Sequence, residues 1–137
     1  MGGEGVRYGV TCPECGGAGS CTAGAALMGG QIEWSYETSC PVCGSQVAHC
    51  GRGTIPEDLR VRLLAEHGPT GLRADRPPGG GAAAMKVLRA QSGGTPAATK
   101  ATWEGILAGR WSGTLAEAEQ LALRLRAGGV VVVTVRG

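Results

Sequence analysis

Two copies of a Cys-Pro-Xaa-Cys-Gly element, at Cys12–Gly16 and Cys40–Gly44, limit what this 137-residue chain can fold into more than any other feature. In each copy two thiols stand three positions apart and a glycine follows, so a tight turn can aim both sulfurs at one point. With 24 residues between the pairs, the spacing suits a single four-thiolate zinc site built by Cys12, Cys15, Cys40 and Cys43. Four thiolates close the coordination sphere and leave no position for a catalytic water, so the implied Zn2+ is structural.

A metal also answers a shortage of core. The chain has 26 Gly, no Phe, and only three Trp and two Tyr. Small modules of this kind bury too little apolar surface to hold together without a staple. Charge divides the chain. Residues 1–53 carry Arg7 and Arg52 against Glu4, Glu14, Glu33 and Glu37, a balance of −2, whereas residues 54–137 carry 11 basic and 7 acidic residues, a balance of +4. Phosphate contacts need Lys or Arg, so the acidic cysteine module is a poor nucleic-acid reader. The basic second half points to a protein partner with an acidic surface. The start at Met1-Gly2-Gly3-Glu4 lacks the basic and apolar regions of a signal peptide. The Val130–Val135 run is too short to cross a bilayer. The expected location is cytoplasmic, where CxxC pairs stay reduced and hold metal.

The expected organisation is a cysteine module over 1–53, a connecting helix over 54–69 and an α+β domain over 70–137. In the first, Ile32, Trp34 and Tyr36 alternate with Glu33, Ser35 and Glu37, predicting a half-buried strand between the two cysteine turns. Thr54-Ile55-Pro56-Glu57 reads as a capping box opening a helix with Ile55, Leu59 and Leu63 on one face, ended by Gly68-Pro69. His67, at the end of that helix, is placed to cap its carbonyls. Further on, 71–74 is a weak strand, 82–91 a helix ended by Gly93-Gly94, and Thr95-Pro96 the start of another. Thr114-Leu115-Ala116-Glu117 is a second capping box, and Val130 to Arg136 a buried terminal strand. The order is β-α-α-β-α-β, helices on a small sheet.

Knuckle, strand and knuckle together resemble a zinc ribbon. CPECGGAG, Cys12 to Gly19, also resembles one C-x-x-C-x-G-x-G element of DnaJ-type co-chaperones, a family that has four copies. Residues 70–137 resemble the C-terminal domain of the bacterial ribosomal stalk protein. The resemblance lies in Met85-Lys86-Val87-Leu88-Arg89 with Gly93, Thr95 and Lys100, and in Gly113 to Glu119 followed by Leu125, Ala127-Gly128 and the valine run. It implies that Lys86, Arg89 and Lys100 contact a partner such as a translational GTPase. The family's turn reads Gly93-Gly94-Thr95-Pro96 here, and Ala97 stands where the family has lysine. The cysteine module replaces the family's dimerisation region, so a stalk-type domain reused on another carrier is implied.

Cys21, His49 and Cys50 keep two readings. They are extra ligands of a six-cysteine, two-ion cluster, or they are buried or oxidisable thiols with His49 on the surface. The expected function is a non-enzymatic zinc-binding adaptor. The alternatives are a zinc-dependent nucleic-acid or transcription module, and a CxxC thiol oxidoreductase or DnaJ-like chaperone element. Enzymatic chemistry finds only His49 and His67 as bases and no phosphate-cradling G-x-x-x-x-G-K-[ST] loop.

Overall fold

The computed structural model describes residues 3–77 and 80–136. The chain divides into two compact units, Met1–Gly68 and Pro69–Gly137.

The first unit is a four-stranded antiparallel meander, β1 (Gly3–Thr11), β2 (Ala18–Met28), β3 (Gln31–Ser39) and β4 (Gln46–Arg52), paired in chain order. Gly29 and Gly30 join β2 to β3 with φ of 58° and 83°. Positive φ at both central residues is the two-residue hairpin connection that matches strand twist. The register sets Tyr8 against Cys21, Cys21 against Thr38, and Ala23 against Tyr36, so these residues share one face. Helix α1 (Glu57–His67) lies on that face and buries Leu59 and Leu63 completely. Its polar side is tied down as well. Tyr36 donates to the Asp58 carboxylate at 3.0 Å, the Arg62 guanidinium sits 3.6 Å over the Tyr8 ring, and His67 Nε2 meets the Gly5 carbonyl at 2.8 Å. His67 therefore engages a strand carbonyl.

Two sequence expectations change here. Only one strand was predicted in this unit, and the structure has four. Their chemistry explains the difference: β2 alternates Cys21, Ala23, Ala25 and Leu27 inward, mostly small side chains with a weak apolar signature. The Thr54–Glu57 capping box does not form. Helix α1 starts at Glu57 with Pro56 as its N-cap and no side-chain cap bond. The residue before a proline is held extended. Ile55 therefore stays outside the helix and drops into the core at 2% exposure.

The second unit has β5 (Thr70–Ala74) between β6 (Ser112–Gly113) and β7 (Val132–Arg136), both antiparallel to it. Helices α2 (Ala82–Ser92), α3 (Pro96–Leu107) and α4 (Leu115–Ala127) complete a mixed α+β arrangement. Their core centres on Leu72, Leu88, Trp103, Ile106, Leu121 and Leu125. Both expected caps are present. Thr95 accepts from the Ala98 amide ahead of Pro96, and Thr114 exchanges both capping-box bonds with Glu117. The terminal strand is not buried throughout. Val132 is covered, but Val133 is 50% exposed, and so is Val131 just before the strand at 80%, because successive side chains point to opposite faces and only one face is covered. Among the described residues no helix is long and apolar enough to cross a membrane.

Candidate metal centre

The two sequence repeats fold into the same turn. In the β1–β2 connection the Cys12 amide donates to the Gly17 carbonyl and the Gly16 amide to the Cys12 carbonyl, both at 2.8 Å. In the β3–β4 connection Cys40 and Ser45, then Gly44 and Cys40, repeat these bonds at 2.9 and 2.8 Å. Gly16 and Gly44 have φ of 74° and 76°, the left-handed conformation that the knuckle requires and other residues resist.

The meander brings both knuckles to the same end of the sheet. Cys12 Sγ lies 3.8 Å from Cys43 Sγ, Cys15 Sγ 3.6 Å from Cys40 Sγ, and all four sulfurs fall within 4.8 Å of one another. A tetrahedral ion with metal–sulfur bonds of about 2.3 Å sets its sulfurs about 3.8 Å apart. The four cysteines therefore fit a metal ion such as zinc, in an arrangement compatible with a zinc-ribbon site. Cys12 and Cys40 are buried, while Cys15 and Cys43 face solvent.

Backbone amides aim at these sulfurs. The Cys43 and Val42 amides pull the Cys40 thiol down to about 7. At Cys43 the Ser45 amide works in the same direction, but the neighbouring Cys15 sulfur, desolvation, and the Cys12 and Cys40 sulfurs outweigh it and push the thiol up to about 12. Cys15 is also raised: the Gly17 amide opposes the rise, and the Cys40 sulfur and desolvation overcome it. Four acidic groups at one point make each successive deprotonation harder. A divalent cation reverses that cost, which is how metal binding and proton release are linked.

The glycines after the first knuckle have a spatial cause that sequence reading missed. A Cβ on Gly17 would sit 2.9 Å from Val42 and 3.3 Å from Cys15 Sγ, and one on Gly19 would sit 2.8 Å from the Ser39 carbonyl. The C-x-x-C-x-G-x-G pattern at Cys12–Gly19 is thus what close approach of the second knuckle demands. The unequal treatment of the two knuckles was the available signal, since the second continues Gly44-Ser45-Gln46.

Cys21, His49 and Cys50 are not part of the four-sulfur group. Cys21 is buried in β2 on the face beneath α1, beside Tyr8. His49 packs edge-on to Trp34 with ring centroids 5.4 Å apart. Cys50 is exposed on β4, paired with Ser35, and so points to the opposite face. Strands β2 and β4 are separated by β3, which puts their backbones about 9.5 Å apart and beyond disulfide reach. Cys21 and Cys50 therefore neither pair with each other nor complete a second cluster.

In the second unit Lys86, Arg89 and Lys100 are exposed on α2 and α3. Lys86 and Arg89 line a surface groove of about 540 Å³ with Met85, Ala82, Ala90, Pro96 and Thr99, and Lys100 lies outside its lining. No protein family, characterised protein or solved structure matches this chain.

Proposed function

We propose that this chain is a non-enzymatic, cytoplasmic adaptor. In this reading a structural zinc ion held by Cys12, Cys15, Cys40 and Cys43 stabilises the first unit, and the second unit docks an acidic protein surface on its α2–α3 face. The observation that carries the docking half is the groove in which an apolar floor with Met85 and Pro96 is flanked by Lys86 and Arg89. An apolar floor supplies burial on association, and flanking cations select an acidic partner. Lys100, exposed on α3, extends the same charge. The resemblance of these two helices to the ribosomal stalk domain makes translational GTPases the partner class to try first.

The metal half is supported by the sulfur spacing and by a cluster that four thiolates close. The test has two arms. Elemental analysis should return one zinc per chain. Capture of partners from cell extract by the full chain should fall sharply in the Lys86→Ala/Arg89→Ala double variant. Unchanged capture of every partner would remove this face from consideration.

A further inference from the structure

A second cavity, of about 570 Å³, opens in the second unit where the α3–β6 connection meets β5. Its lining includes Trp111, Arg73 and Arg110, with Leu107 and Val135 as apolar wall and Gly71 as bare backbone on the floor. Trp111 is half-buried and anchored on the core. Arg73 and Arg110 are exposed, and neither makes an ion pair among the described residues. Among the described residues no acidic side chain lines the cavity. The unit as a whole, residues 69–137, carries nine basic and four acidic residues, a balance of +5.

These features narrow the ligand. Two unpaired guanidinium forks over one cavity call for an anion, and their planar donors match phosphate oxygens. A bare phosphate would leave the indole and the apolar wall unused. An indole beside an Arg pair suits a flat ring, since bases stack on aromatic faces whatever their sequence. The volume lies in the range of small-molecule sites. We propose that this cavity binds a phosphorylated nucleoside, free or as one unit of a single-stranded nucleic acid, with the base against Trp111 and the phosphate between Arg73 and Arg110. This site is separate from the α2–α3 groove and does not depend on it.

The test titrates the full chain with adenosine monophosphate, with a short oligouridylate and with inorganic phosphate, read by calorimetry. The nucleotide or the oligonucleotide should bind, and phosphate alone should bind at least about tenfold more weakly. Arg73→Gln and Arg110→Gln should each weaken binding about tenfold or more, the usual loss for a charge-assisted contact. Both are exposed, so circular dichroism should show them folded. Arg52→Gln removes the same charge from the first unit and should leave binding unchanged. Tighter binding of the oligonucleotide identifies nucleic acid as the source; equal or tighter binding of the mononucleotide identifies the free form. No binding of either at millimolar concentration, unchanged affinity in both cavity variants, an equal loss in Arg52→Gln, or phosphate binding as well as the nucleotide would each overturn the assignment.

Discussion

Stripping the metal from the four-sulfur site should destabilise the first unit and spare the second. The ion would link Cys12 to Cys43 and Cys15 to Cys40 across 31 and 25 positions of chain. Treated as a cross-link closing a loop of that length, it removes conformational entropy from the unfolded chain worth about 3.5 kcal/mol. A unit of 68 residues at the usual stability per residue has about 3–10 kcal/mol in all. The cross-link term alone is therefore a third of the total or more, and should lower its Tm by roughly 15–25 °C. The assay is differential scanning calorimetry of the full chain before and after chelation, with metal content measured on the same samples. Two transitions are expected, of which only one moves. A metal-free sample whose first-unit transition stays in place would refute the argument that this end of the sheet depends on an ion.

Further outcomes follow from particular positions. A Cβ at Gly51 would run into the Trp34 ring, so Gly51→Ala should cost about 1–3 kcal/mol in denaturant unfolding, whereas Gly105→Ala, with open space inside α3, should gain about 0.5–1 kcal/mol. Thr114→Ala removes the hydroxyl that accepts from the Glu117 amide, leaves the backbone amide of residue 114 still donating to the Glu117 carboxylate, and should lower stability by about 1 kcal/mol, read in the second-unit transition. Tyr8 and Tyr36, the only two tyrosines, should both titrate near 12 in the folded protein and near 10 when unfolded, read by ultraviolet absorbance. Burial is the first cause for each, followed by the Cys21 thiol at Tyr8 and the Asp58 carboxylate at Tyr36. Because the folded values are raised, the stability linked to these phenols is fully present below about pH 10 and is lost as pH rises to about 12. Asp58→Asn should bring Tyr36 down more than Tyr8; equal movement of both would contradict the hydrogen-bond assignment.

Local chemistry was legible at most places where it closed over a few residues. Each Cys-Pro-Xaa-Cys-Gly segment specifies its own knuckle, since its backbone bonds span no more than five positions and its glycine alone supplies the left-handed turn. Thr95-Pro96 and Thr114 to Glu117 likewise announce α3 and α4, because the cap and the amide it satisfies lie three residues apart. The Thr54–Glu57 box carried the same letters and failed, because Ile55 before Pro56 is extended and the core claims its side chain.

The amino-acid sequence by itself determined that two identical turns would each present a pair of sulfurs, and that the second half would be helices on a short sheet. That the turns meet was the expectation from their spacing, and the tertiary structure brings the four sulfurs within 4.8 Å of one another. It made strands of glycine- and alanine-rich stretches by pairing each with the next strand of the meander, and it set Cys21 and Cys50 on opposite faces of one sheet. The reason is range: a turn is fixed by bonds among neighbours, whereas the side of a strand that a residue faces depends on the register of every pairing in the meander taken together.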